Sequence, residues 1–162
     1  MTVIAGLVSS AGWGYLGSDI GATNGDLYSL MADPKVMRFD QTLVGYAGDI
    51  AQGRKAFRWL MDSAALSKVN AFERHWTKDE FGDTDFLFIE QGRIYELSSG
   101  AVIKIREVDE ASYAAIGEGS AVALGALYVD HIDLRSVLQA IDAAIAHVPG
   151  IYGPPMVIEC SP

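Results

Sequence analysis

Thr2 is the first residue of this sequence whose type and place could do chemistry. Removal of the initiator methionine is usual when the second residue is small, and it would leave Thr2 with a free α-amine beside its own hydroxyl. An α-amine has an ordinary pKa of about 7.7–8, close to working pH, so it can act as a general base. The hydroxyl then becomes the nucleophile, the threonine and N-terminal-amine arrangement of covalent catalysis. A Met-Thr start alone is common among proteins, so this reading needs support from the rest of the chain.

Few other residues compete with it. Cys160 is the single cysteine, so neither an internal disulfide nor a cysteine metal cluster is open to the chain, and it reads as a small buried or edge residue. His75, His131 and His147 are scattered without metal-ligand spacing and read as surface or capping residues. No metal or cofactor is expected. The formal charge is −9 with a pI near 4.6, which argues against a nucleic-acid surface built from clustered Lys and Arg. No stretch approaches the roughly 18 uncharged apolar residues of a membrane span. The segment Met1-Thr2-Val3-Ile4-Ala5-Gly6 lacks a basic n-region, so a cytoplasmic location is expected.

Elements able to position Thr2 run from end to end. The chain has 162 residues, half of them hydrophobic, enough for one domain over 1–162 with a sizeable core. Apolar runs at 3–9 and 13–20 around Ser10-Ala11-Gly12 predict a hairpin. Residues 21–33, rich in Gly, Asn, Asp and Ser, read as a loop closed by Pro34. Strands are expected at 35–39 and 42–47. The spacing of Ile50, Phe57, Leu60, Met61 and Ala64 predicts a helix over 49–66 with Asp49 as N-cap. A short helix is expected within 70–82. A hairpin follows at 86–89 and 94–97, then strands at 101–105 and 112–116. Gly117-Glu118-Gly119 opens a helix to about Val129. Asp133 caps another, with Leu134, Val137, Leu138, Ile141 and Ile145 on one face and Pro149-Gly150 at its end. Residues 156–159 form a last strand. Strands and helices fall in runs rather than alternating singly, which disfavours a doubly wound parallel sheet and fits two antiparallel sheets with helices outside.

Five segments in order carry a resemblance to a known family. They are Thr2-Val3-Ile4-Ala5; Gly17-Ser18-Asp19-Ile20-Gly21-Ala22-Thr23; Lys35-Val36-Met37-Arg38; Leu43-Val44-Gly45-Tyr46-Ala47-Gly48-Asp49; and Ala115-Ile116-Gly117-Glu118-Gly119-Ser120 running into Ala123-Leu124-Gly125-Ala126-Leu127. Together they resemble the proteasome β-subunit and HslV family over nearly the whole chain. The resemblance implies an α+β fold, the four-layer αββα sandwich of N-terminal-nucleophile hydrolases, and a threonine peptidase. It implies Thr2 as nucleophile, Lys35 close by to lower the pKa of hydroxyl and amine, and Asp19 to pair with Lys35. Gly45 would donate its N–H to the oxyanion. Thr23 would sit on the strand that pairs with an extended peptide. Rings of six or seven subunits, singly or stacked in pairs, are implied, acting on peptides or unfolded proteins. The chain has no Gly-rich phosphate loop ending in Gly-Lys-Ser or Gly-Lys-Thr, so any ring ATPase is a separate protein.

Two places depart from the pattern. The family's Gly-rich turn usually carries a serine that positions the nucleophile's amine; here Glu118 stands there, with Ser120 two residues on. The family's late aspartate in the last long helix aligns with Ala146, beside His147, with Asp142 a turn earlier. These changes favour a second reading, a non-catalytic assembly or scaffold subunit. A third, an amidase for small amides, is disfavoured because such relatives more often begin with Cys or Ser. The aromatic content of the first long helix, Phe57 and Trp59 with Met61, fits either core or subunit contacts.

Overall fold

The computed structural model describes residues 1–24, 27–31, 33–98, 101–104 and 111–162, with the backbone alone at 23–24 and 27–28. Strands β1 (Ile4–Val8) and β2 (Gly14–Ser18) form the expected hairpin. They lie at the centre of a four-stranded antiparallel sheet whose edges are β10 (Ser112–Ile116) and β11 (Met156–Cys160). A second antiparallel sheet runs in the order β5 (Val36–Phe39), β6 (Thr42–Ala47), β7 (Asp85–Glu90), β8 (Arg93–Ser98) and β9 (Ala101–Lys104). Residue 105, included in the predicted strand, lies outside the described residues.

The two sheets stack face to face. Even-numbered residues of β1 point into the space between them, where Ile4 and Val8 meet Leu16, Val36, Leu43, Leu87 and Ile89. Odd-numbered residues point outward, so Ala5 and Leu7 pack under helices α4 (Ser120–Val129) and α5 (Leu134–His147). That two-sided burial explains why β1 reads as a continuous apolar run rather than an alternating one. On the far side, α1 (Ile50–Asp62) and the short helices α2 (Lys68–His75) and α3 (Lys78–Phe81) cover the second sheet, with Tyr46, Phe57, Phe72, Phe81, Phe86 and Phe88 as their core. Helices, sheet, sheet and helices make the four layers expected from the sequence. Among the described residues no helix is long and apolar enough to cross a membrane.

Three local expectations are corrected. The segment 21–33 is not a plain loop. Strands β3 (Gly21–Asn24) and β4 (Leu27–Leu30) pair antiparallel in it, while positions 25–26 and 32 lie outside the described residues. Its polar, glycine-rich composition hid the strands because bonds to their backbone hold them: Met31 N–H donates to Ile20 C=O at 2.8 Å and Ala22 N–H to the Tyr152 side-chain hydroxyl at 3.1 Å. Helix α1 ends at Asp62, since Ser63 is extended and Ser67 opens α2 as a new N-cap. The helical stretch expected within 70–82 is split between α2 and α3, because Trp76 is extended and Thr77 caps afresh by accepting from Glu80 N–H.

Tyr46 joins this fold to the cleft described below. Its ring lies against Gly53 of α1, where an added Cβ would meet ring carbons at 2.3 Å, and edge-on to Phe57 at 5.2 Å. Its hydroxyl is buried and has no hydrogen-bond partner among the described residues. Gly125 of α4 is the contrasting case, with nothing within 4 Å of an added Cβ.

Glycine to alanine inside an exposed helix ordinarily stabilises by about 1 kcal/mol, and Gly125→Ala should do so. Gly53→Ala should destabilise by about 1–3 kcal/mol, because the methyl drives the Tyr46 ring off its seat; urea denaturation of the pair reads both signs. Burial pushes the Tyr46 hydroxyl up from 10.0 to about 12. Between those values the unfolded chain has released this proton and the folded chain still holds it, so stability falls as pH rises. The limiting slope is about 1.4 kcal/mol per pH unit. Tyr46→Phe should flatten the fall of Tm between about pH 10 and about pH 12.

Candidate active site

Asp19 directly follows β2, and its carboxylate is fully buried. One oxygen accepts from Val3 N–H at 3.0 Å; the other accepts from Gly21 N–H at 3.1 Å and from Lys35 Nζ at 2.9 Å. The side chain thus ties the N-terminal segment, the corner into β3 and the start of β5. Lys35 immediately precedes β5 and is itself 2% exposed. Its C=O accepts from Tyr46 N–H at 3.1 Å, which fixes the backbone from which the side chain departs. Burial pushes the Lys35 ammonium below the ordinary lysine value, while Asp19 and Glu118 pull the other way by favouring the charged form.

Thr2 lies beside this pair, nearly buried, while Met1 is about half exposed and rests on Gly150. The turn before α4 closes around Thr2. Glu118 Oε2 accepts from Thr2 N–H at 2.9 Å, and Gly119 N–H donates to Thr2 C=O at 3.3 Å. Gly117 has φ +88°, and a Cβ on it would stand 2.4 Å from the Thr2 oxygen. Glycine is required there both for the backbone angle and for the close approach.

A cleft of about 360 Å³ opens over these groups, lined by Thr2, Gly21, Ala22, Lys35, Tyr46, Gly48 and Asp49 among others. Of the residues singled out from the sequence, Thr2, Asp19 and Lys35 come together here. Gly45 does not. It sits mid-strand in β6, register partner of Val36 and Leu87, and a Cβ there would meet Ile4 Cγ2 at 2.7 Å in the space between the sheets. Tyr46 N–H turns toward β5, so strand alternation turns the N–H of Gly45 toward β7, inside the ladder. Its glycine serves sheet packing. Gly48, just past the end of β6, reaches the cleft instead, with φ +128° and no acceptor for its N–H among the described residues. A glycine between a strand end and the Asp49 N-cap was the sequence signal for it. Thr23 lies on β3 opposite Tyr28, and its side chain is outside the described residues.

The departures from the family pattern are also placed. Asp142, Ala146 and His147 are exposed on α5 and make no hydrogen bond to Thr2, Asp19 or Lys35 among the described residues. Glu118 does touch Thr2, across 116 positions of sequence. Cys160 is buried between the sheets, and burial pushes its thiol up, which suits a packing residue. His75 stacks on Trp59 at 4.4 Å, and no group of acids, histidines and cysteine able to hold a metal occurs among the described residues. Phe57 is core; Met61 is exposed.

Neither a protein-family model nor a curated protein matches this sequence. Solved structures do match in shape. BPH of Thiobacillus denitrificans superposes with a TM-score of 0.77 at 15% identity, over 99% of this chain and 98% of that one. The same protein in complex with epoxomicin gives 0.77 at 16% identity, with the same coverage. A eukaryotic HslV from Trypanosoma brucei gives 0.78 at 18% identity over 100% of both chains. Likeness at such identities is a likeness of fold, and in fold this chain is proteasome- and HslV-like along its whole length.

Proposed function

We propose that the chain is a threonine peptidase subunit that uses Thr2, freed of Met1, to cut peptide bonds. The observation that carries this is that Thr2 and the buried Lys35 line one open cleft, while Asp19 pairs with Lys35 and holds the N–H of Val3, next to Thr2. A lysine kept charged beside a hydroxyl and an amine lowers the pKa of both. The α-amine takes the Thr2 Oγ proton as Oγ attacks the substrate carbonyl carbon, and the carbonyl π electrons move to oxygen. The Gly48 N–H, rather than that of Gly45, meets the oxyanion that forms. An extended peptide lies along β3, with Thr23 on the pairing strand, and its backbone supplies the hydrogen bonds.

Self-association belongs to this proposal, as rings of six or seven, singly or paired, with a separate ring ATPase supplying unfolded chains. The HslV-like shape supports it. So does the apolar outer surface of α4, where Tyr128 and Val129 are exposed. The scaffold reading is favoured by one observation, an exposed alanine on α5 at the place of the family's late aspartate.

Intact mass after purification, followed by an epoxyketone probe that captures both amine and hydroxyl of an N-terminal threonine, decides between the two. Loss of Met1 with an adduct at Thr2 is the expected result. Retained Met1 without an adduct counts against the peptidase reading and moves the balance to the scaffold reading. The buried pair makes a separate prediction: Asp19→Ala leaves the Lys35 ammonium buried and unpaired, and should cost about 3–5 kcal/mol in urea unfolding.

A further inference from the structure

The turn Gly117-Glu118-Gly119 grips Thr2 by both backbone groups at once. Gly119 N–H holds its carbonyl at 3.3 Å, and the Glu118 carboxylate holds its nitrogen at 2.9 Å. The φ of +88° at Gly117 and the absence of a Cβ there let the turn lie directly against the Thr2 carbonyl, which would stand 2.4 Å from an added Cβ. When Met1 is removed, the atom that Glu118 faces becomes the α-amine. We propose that Glu118 is a positioning residue: its carboxylate orients the Thr2 α-amine and stabilises the positive charge that amine acquires when it takes the Oγ proton. This deepens the threonine-peptidase reading and rests on it.

The chemistry balances without another reactant. The Oγ–H proton passes to the amine while the Oγ–carbon bond forms and the carbonyl π pair moves to oxygen. The ammonium then gives its proton to the leaving amide nitrogen as the carbon–nitrogen bond breaks, leaving an ester on Thr2. Glu118 exchanges no proton in either step. It does for the amine what a buried aspartate does for a histidine base, holding it in place and matching its transient charge.

Other charges bear on the same nitrogen. Lys35, at the start of β5, opposes the ammonium, and Asp19 beneath it offsets Lys35. Asp49 lies on the rim of the cleft. On the other side of Gly48, a second cleft of about 480 Å³ is lined by Glu118 with Asp83, Asp85 and Glu96. Carboxylates therefore surround the turn on that side, and Glu118 is the one that touches the Thr2 nitrogen.

The test uses the full chain after Met1 removal, as wild type, Glu118→Gln and Glu118→Asp. Glutamine keeps size and hydrogen bonding but drops the charge, and an exposed position tolerates it. Two readouts are taken. One is the pH dependence of N-terminal acylation by an anhydride, quantified by peptide mass spectrometry, which titrates the amine without any turnover. The other is the pH profile of kcat/KM on a fluorogenic peptide. Glu118→Gln should move the amine titration and the acid limb down by about one pH unit or more. It should also lower the plateau of kcat/KM by about 10-fold or more, with Glu118→Asp recovering part of both. An amine that titrates alike in wild type and Glu118→Gln overturns the proposal. An amine that responds to Glu118 in a protein with neither turnover nor epoxyketone adduct overturns the peptidase reading instead.

Discussion

The Asp19–Lys35 ion pair is the constraint on which the rest of the site depends. Both groups are all but removed from water, and such a pair seldom returns in attraction what it loses in hydration. Asp19 narrows the deficit by accepting from two backbone N–H groups as well as from the ammonium. Hydrogen bonds to an ionised acceptor are the strong kind. The same bonds fix where the N-terminal segment leaves β1, where β2 bends into β3, and where β5 begins. A group that costs stability and yet organises three segments at one point is better explained by what sits there, Thr2, than by the needs of folding. Such groups cluster at functional sites.

The stacked sheets carry that arrangement on rigid elements. Four strands of one sheet and five of the other meet through a core in which Gly6 and Gly45 let neighbouring side chains reach across. Close approach at this level brings the β1 start and the β5–β6 end together at the cleft. Site residues placed on strand ends rather than mid-strand keep their positions through the sheet ladder while their polar groups face outward.

Much of this was legible because it is local. Apolar runs bounded by glycine turns marked the strands, and Asp49 and Asp133 marked helix starts that the structure caps as expected. The order of runs, strands then helices twice over, pointed to two sheets between helix layers. Thr2 stood out by its type and place, but only the family resemblance tied Asp19 and Lys35 to it; no spacing rule relates residues 2, 19 and 35. What escaped was non-local or carried by backbone. The β3–β4 pair has turn-like composition and is held by Tyr152, far along the chain. Gly45 and Gly48 are both glycines of one segment, and only the direction of the strand ladder separates the one that packs from the one that lines the cleft. The contact between Thr2 and Glu118 joins chain positions that no periodicity connects.

Glu118 also changes how the loss of the late aspartate should be weighed. An amine that acts as base needs a partner only on the side from which its new proton's charge is felt; the partner's position in sequence is immaterial. A carboxylate at 2.9 Å from the Thr2 nitrogen meets that need from the turn before α4 rather than from α5. It is a stronger acceptor than the serine it replaces. Attack by Oγ creates two charges at once, positive on the amine and negative on the substrate oxygen. In the proposed arrangement Glu118 faces the first and the Gly48 N–H the second. Lys35, which lines the same cleft as Thr2, opposes the first charge and favours the second. In that proposed arrangement the exposed Ala146 needs no counterpart on α5, because Glu118 is already within hydrogen-bond reach of the Thr2 nitrogen.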